Sequence, residues 1–379
     1  MLYEYQKELF KRNNRFEINL KARQIGFSFT FGTKVAYKCI FENKDQLIVS
    51  ASQRQAKRVM YYIEKYLKAN SNLSLINKYL KLSIDTQTEK RFIHNNKSIL
   101  CLPPNPLTIT GFPGDIFLDE FALYKNDKRI YESILPAITH GYNITISSSP
   151  LGQSNLFHEI YTNVDKYPDY KRYKIDIYEA IKRGLKVDVE SIRRNFDEES
   201  FRQEYLCEFQ SDKGSYFDYE LLRNCVEDYE PEKLKGRNII GIDIGRTHDR
   251  TVAAVINETD NLYKLKRLEI LNNMPYQTQF ESLCQIIEEE TPELVLIDEG
   301  AIGSQLAEQL GLKYGFCQGI QMNSLIKNDC CTTTKMFMQQ NKFKFYDDRQ
   351  IITEFHKIKK YITTDNRINF DSKRDDEGH

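Results

Sequence analysis

The chain has 379 residues, 40% of them hydrophobic and 28% charged, which is too long for one ordinary core and too apolar for a disordered polymer. No run of about 18 apolar residues offers a membrane span, and Met1-Leu2-Tyr3-Glu4-Tyr5-Gln6 lacks the basic-then-apolar layout of a signal peptide, so a cytoplasmic protein of two domains is expected. The net charge of zero is unevenly spread: residues 1–100 hold 19 Lys and Arg against 8 Asp and Glu, residues 101–200 hold 12 against 15, and the rest hold 23 against 31. A basic first part suits a phosphate backbone and an acidic second half suits divalent metals, although a solvated face fits the same distribution equally well.

Along the first 150 residues, short apolar runs alternate with helical periodicity. Phe16–Leu20 reads as a strand entering the loop KARQIGFSFT, and a helix follows to about Phe41. Gln46–Ser50 is a strand, Gln53–Lys68 an amphipathic helix, and Asp115–Leu118 and Asn143–Ser147 are further strands. Strand–loop–helix repeated in this way predicts an open, mostly parallel sheet covered on both faces. Residues from about 155 to 235 are polar and tyrosine-rich, with a helix around Glu198–Glu208. A second α/β pattern begins at Arg237: a strand over Arg237–Ile242 that continues across Thr251–Ile256, a third over Leu262–Leu271, a helix over Gln277–Glu290, a strand over Leu294–Asp298 and a helix after Ala301. Three early strands, then helix, strand and helix, is the layout of a ribonuclease-H-like core. The expected division is 1–175, a connecting region 176–235, and 236–379. The eight cysteines are scattered without a CxxC pair and read as buried hydrophobes or inert thiols in a reducing compartment.

A phosphate-binding loop needs a strand, a glycine turn and a helix N-terminus. Lys21-Ala22-Arg23-Gln24-Ile25-Gly26-Phe27-Ser28 has that context, but Phe27 stands where a lysine usually follows the glycine. Gly26 supplies the tight backbone and Ser28 a hydroxyl for magnesium; the positive charge then falls to Lys21, with Arg23 also in reach. Ile116-Phe117-Leu118-Asp119-Glu120 is an apolar strand ending in two carboxylates, one suited to a magnesium shell and the other to an attacking water. Thr145-Ile146-Ser147-Ser148-Ser149-Pro150 ends in three hydroxyls able to sense a terminal phosphate. In the second half, Gly241-Ile242-Asp243-Ile244-Gly245 and Leu294-Val295-Leu296-Ile297-Asp298-Glu299-Gly300 each put an aspartate at the end of an apolar strand, as two-metal phosphodiester cleavage requires. Strand-end caps or surface turns would give the same pattern.

In this order, Tyr5-Gln6, KARQIGFS, FLDEFA and TISSSP resemble the adenine-contacting, Walker A, Walker B and coupling motifs of large terminase subunits, in particular the branch found in Mu-type and related prophages. GIDIGRTHDRT and LIDEGAIGSQLAEQL resemble the first and second acidic motifs of terminase nucleases. The resemblance implies an α/β P-loop NTPase of the ASCE type followed by a ribonuclease-H-like endonuclease. Gln6 would read adenine. Lys21, Arg23, Gln24, Gly26, Phe27 and Ser28 would hold ATP with Mg2+, Asp119 would support that metal, and Glu120 would activate water. Ser147, Ser148 and Ser149 would couple hydrolysis to movement. Asp243 and Asp298 would hold two Mg2+ or Mn2+, with Asp249 as a further ligand. The family's third nuclease carboxylate commonly follows a Gly-His; here Gly378-His379 ends the chain, so it is expected just beyond, or else Asp375 or Asp376 takes its place. The family's arginine finger is missing from Asn105–Gly111, leaving Arg23, Arg91 or Arg129. The implied partners are double-stranded DNA, a small terminase subunit and a portal protein, with a five-membered ring on the capsid, a monomer in isolation, and the bacterial host's cytoplasm as location. A helicase-like motor with an inert C-terminal fold and a non-catalytic prophage remnant are the alternative readings.

Overall fold

The computed structural model describes residues 2–379 apart from 71–77, 195, 197, 211–213, 246–249, 273, 300–302, 363–367 and 372–379. It divides into two compact units, Met1–Asp212 and Lys213–His379. Residues 176–235 are shared between them and contain short helices at Ile177–Lys182, Glu198–Leu206 and Tyr219–Cys225.

The first unit is built on eight strands: β1 (Phe16–Lys21), β2 (Gln46–Ser50), β3 (Leu82–Asp85), β4 (Glu89–Phe92), β5 (Ser98–Leu102), β6 (Asp115–Asp119), β7 (Ile144–Ser148) and β8 (Lys171–Ile175). Their order is β3-β4-β5-β2-β6-β7-β1-β8. All pairs from β5 to β8 are parallel, and β3 and β4 join antiparallel at one edge. The central strands are apolar because both faces are covered: Ile18, Leu47, Ile48, Val49, Ile116, Leu118, Ile144 and Ile146 are all buried. Helices α1 (Glu4–Lys11), α2 (Phe27–Phe41) and α3 (Gln53–Asn70) pack around them. Phe31 of α2 stacks on Phe117 of β6 with ring centroids 4.0 Å apart.

That face also buries charge. Lys38 of α2 donates to Asp115 Oδ2 at 2.7 Å, and Asp115 Oδ1 accepts the Asn143 N–H at 3.0 Å. One carboxylate thus ties α2, β6 and the entry to β7 together. Removing one partner of a buried pair leaves the other charge without compensation. Asp115→Ala is therefore expected to destabilise this unit by about 3–5 kcal/mol, measured as a fall in the midpoint of urea denaturation.

In the second unit, β9 (Arg237–Asp243), β10 (Thr251–Thr259), β11 (Leu262–Leu271), β12 (Leu294–Asp298), β13 (Cys317–Ile320) and β14 (Phe343–Lys344) form a sheet ordered β13-β12-β9-β10-β11-β14. The expected continuation of the first strand across Thr251–Ile256 is corrected here: β9 and β10 are two strands paired antiparallel, Asp243 opposite Val252. The apolar run over Thr251–Ile256 thus lies beside the first strand instead of extending it. Along β12 the pairing is parallel to both β9 and β13. Strict alternation splits the sheet into two faces. Ile240, Ile242, Ala253, Val255, Val295 and Ile297 lie in the core with Leu283, Ile286 and Ile287 of α4 (Tyr276–Glu290) and Leu306 and Leu310 of α5 (Gly303–Lys313).

No helix among the described residues is long and apolar enough to cross a membrane. All eight cysteines are free thiols.

Candidate nucleotide and nuclease sites

Strand β7 lies between β1 and β6, so three strand ends converge on one edge: Lys21 from β1, Ser148 from β7 and Asp119 from β6. In open parallel sheets the carboxyl ends of the strands are where ligands bind. The register runs Asn19, Ser147, Asp119, Ser50 across four adjacent strands, placing these side chains in one row beneath the start of α2.

The turn into α2 is made by two residues in left-handed conformation, Gln24 (φ 60°) and Gly26 (φ 74°). Gly26 also lies close against α1: a Cβ there would come within 2.6 Å of Gln6 Nε2, and the glutamine amide would have to shift. The first turn of α2 has no side-chain cap, which leaves its leading N–H groups for an anion. Ser28 Oγ, on that turn, donates to Asp119 Oδ2 at 2.8 Å. The other oxygen, Asp119 Oδ1, is buried without a hydrogen-bond partner, as are the hydroxyls of Ser50 and Ser147 on either side of it. Burial first, and the charge of Glu120 second, push the Asp119 carboxyl up to about 7. A buried carboxylate oxygen with nothing to bind, next to a serine hydroxyl and a glycine turn, fits a divalent cation carried by a triphosphate.

Glu120 leaves the strand in left-handed backbone (φ 54°), a conformation that costs a non-glycine residue about 1–2 kcal/mol. The turn carries its carboxylate back over the strand ends. Oε1 accepts from Lys21 Nζ at 2.5 Å, while Oε2 accepts from Ser148 Oγ and the Ser149 N–H, both at 3.4 Å. Lys21 Nζ also reaches Ser149 Oγ at 3.4 Å. Three segments, the outermost 128 residues apart in sequence, therefore share one polar cluster.

Other anticipated residues are placed differently from one another. The Phe27 ring is buried and packs on Phe31 at 5.4 Å, so the backbone is what it presents to the turn. Gln24 is exposed. The Arg23 guanidinium is 3.9 Å from Glu204 of the helix Glu198–Leu206, and Arg23 N–H donates to the Glu204 carbonyl at 2.8 Å. Gln6 is 4% exposed; its Oε1 accepts from the Tyr3 N–H at 3.0 Å and its Nε2 faces the Gly26 carbonyl at 3.4 Å. Tyr5 hydroxyl donates to the Ile25 carbonyl at 2.6 Å, so α1 is clamped to the turn through both residues. Arg91 pairs with Glu89, and Arg129 is exposed. Ser50 was not singled out from sequence. The available signal was the polar residue ending QLIVS, the same pattern that marks Asp119 at the end of DIFLD.

In the second unit, Ile242 of β9 is in register with Ile297 of β12. Asp243 and Asp298 are the next residues on each strand, side by side at the carboxyl ends and on the face turned away from the core; such strands are about 4.8 Å apart. Gly241, two residues before Asp243 and on the same face, has open space where a Cβ would be. That leaves room for a polymer backbone to approach the carboxylates. Among the described residues no group of three or more His, Cys, Asp or Glu is gathered for a metal. Asp249, Asp375 and Asp376, named above as further ligands, lie outside the described residues, as do Arg246 and His248.

Residues 18–224 match the family described as terminase large subunit, T4likevirus-type, N-terminal, and residues 240–379 match the terminase RNaseH-like domain. The chain is 23% identical over 415 residues to the terminase ATPase subunit of Escherichia phage P2, covering 96% of this chain and 68% of that protein. It is 26% identical over 261 residues to the probable terminase ATPase subunit of Haemophilus phage HP1, covering 60% of this chain and 40% of that protein. The crystal structure of the HK97 bacteriophage large terminase superposes with a TM-score of 0.44 at 13% identity, over 98% of this chain and 91% of that one. With one family spanning more than half of its length and the nuclease family following directly, the chain belongs to the terminase large subunits, an ATPase domain followed by an RNaseH-like nuclease domain.

Proposed function

We propose that the chain hydrolyses ATP to move double-stranded viral DNA into a procapsid, and cuts concatemeric DNA with its second domain. The observation that carries the motor half is the cluster Lys21–Glu120–Ser149 beside Ser28–Asp119. On this reading the N–H groups of the α2 first turn cradle the phosphates, and Lys21 exchanges its contact with Glu120 for the terminal phosphate oxygens. Ser28 and Asp119 hold magnesium, which when bound neutralises charge building on the transferred phosphoryl group. Glu120 orients the attacking water and accepts its proton. Ser148 and Ser149, both in contact with Glu120, register loss of the phosphate and pass it along β7. Gln6 acts on this loop from α1, and Arg23 and Gln24 border it.

For the cutting half, Asp243 and Asp298 supply two adjacent carboxylates to a pair of Mg2+ or Mn2+ ions, with Asp249, Asp375 or Asp376 completing the set. The ions would lower the pKa of a bound water and stabilise the leaving oxygen. Assembly as a five-membered ring with a small terminase subunit and a portal protein, in the cytoplasm of the bacterial host, belongs to the same proposal and rests on the family. A helicase-like second motor is not favoured, since the second unit opens with three antiparallel strands rather than a parallel core.

The test is direct. Purified chain is expected to release phosphate from ATP only with a divalent cation, and to nick supercoiled plasmid with manganese in the absence of ATP. A preparation that binds neither nucleotide nor DNA would overturn the reading.

A further inference from the structure

Helix α3 is divided lengthwise into an apolar and a basic half. Ala56, Val59, Met60, Ile63 and Leu67 are buried, and Val59 and Ile63 lie against Gly32 of α2. Arg54, Lys57, Arg58, Tyr61, Lys65 and Lys68 are exposed. At 3.6 residues per turn these six side chains fall within an arc of about 100°, and from Arg54 to Lys68 the stripe runs about 21 Å. It holds five positive charges and no carboxylate. The helix's one acid, Glu64, sits at the edge of the arc and accepts from Lys90 Nζ at 2.8 Å.

A helix face that merely faces water usually mixes signs, because opposite charges three or four residues apart stabilise and like charges destabilise. This face does the reverse. Lys57, Arg58 and Lys65 make no ion pair among the described residues. Arg58 Nε instead donates to the Tyr62 hydroxyl at 3.0 Å, and Lys65 Nζ lies 5.1 Å from the Tyr61 ring, itself 51% exposed. Like charges in a straight row, with Lys57, Arg58 and Lys65 in no ion pair among the described residues, suit an extended polyanion. A protein partner fits less well, because interface cores are depleted in lysine and in charge generally, and this stripe carries five charges around one aromatic ring. Tyrosine and arginine are also residues that donate to phosphate oxygens.

We propose that the outer face of α3 is a surface that tracks the phosphate backbone of duplex DNA, a statement that rests on the function proposed above. It would position DNA without reading its sequence, since phosphate contacts fix register and orientation but carry no sequence information. The test uses the full chain and a 30-base-pair duplex (about three helical turns) in fluorescence anisotropy across a salt series. The variant is the triple substitution Lys57→Gln, Arg58→Gln and Lys65→Gln. All three side chains are exposed, so the fold and basal ATP turnover are expected to persist. Each lost phosphate contact removes about 0.9 from the slope of log affinity against log salt, so the triple variant should lose about 2–3 from that slope and bind at least about tenfold more weakly at low salt. A control, Lys7→Gln with Lys11→Gln on α1, is expected to leave the slope near wild type.

Wild-type binding with a triple variant of unchanged slope and affinity would overturn this surface alone. An equal loss in the α1 control would do so too, by showing that binding is diffuse. Should polyglutamate of matched charge compete as well as duplex, the partner is an acidic protein and the DNA assignment is wrong. A wild-type chain that binds no duplex even at low salt removes both this surface and the function beneath it.

Discussion

Glu120→Gln is expected to lower ATP turnover by about 10²- to 10⁴-fold, the usual contribution of a positioned general base, while nucleotide still binds. The replacement keeps the shape and one acceptor oxygen for Lys21, so the buried lysine, 2.5 Å from Oε1 in the native chain, retains a neutral partner. What it removes is the charge that takes up the proton. A second consequence follows from the neighbouring carboxylate. The charge of Glu120 is one of the causes, after burial, that raise Asp119. Neutralising it lets Asp119 ionise at lower pH, so magnesium-dependent nucleotide affinity should hold or rise while turnover collapses. Phosphate release and binding of a fluorescent ADP analogue, measured on the same preparation, separate the two effects. Turnover within about threefold of wild type would take Glu120 out of the chemistry, since that is far below what a general base contributes.

The parts of this site that sequence made legible are those where burial constrains composition. The central strands β1, β6 and β7 are covered on both faces, so each reads as an apolar run, and the polar residue ending it stands out: Lys21, Asp119 and Ser148. The same logic exposed Asp243 and Asp298, where strict alternation also assigns the face. Strand β8 (KRYKI) was not legible, because an edge strand is fixed by its ladder to β1 rather than by apolar side chains. The β3–β4 hairpin is likewise half exposed and carries little periodicity. Contacts across the chain were out of reach for another reason. That Ser28 meets Asp119, or that the Gln6 amide turns onto the Gly26 carbonyl, depends on how α2 and α1 sit on the sheet, which spacing along the sequence does not encode.

Asp243→Asn is expected to abolish manganese-dependent plasmid nicking while ATP turnover stays at the wild-type level. Substituting groups that merely orient a metal ligand typically costs 10- to 100-fold, so losing a ligand itself should cost at least about 100-fold. Asparagine preserves the size and one carbonyl oxygen, and Asp243 lies on the exposed face of β9, so the sheet should not be disturbed. Asp298→Asn, one strand away in β12, is expected to behave in the same way, because the two carboxylates would be sharing cations. The informative control is Asp260→Asn at the tip of the β10–β11 hairpin. It is exposed with φ of 51°, a conformation asparagine accepts, and it belongs to the same sheet without lying at the strand ends that carry Asp243 and Asp298. If all three variants lose nicking together, the loss reflects general damage to the second unit. If Asp243→Asn and Asp298→Asn nick as fast as wild type while Asp260→Asn is also unaffected, cleavage resides elsewhere and the paired aspartates are strand-end residues only. Loss confined to the first two, with ATP turnover intact, is the pattern that two adjacent carboxylates on a cation-binding sheet edge require.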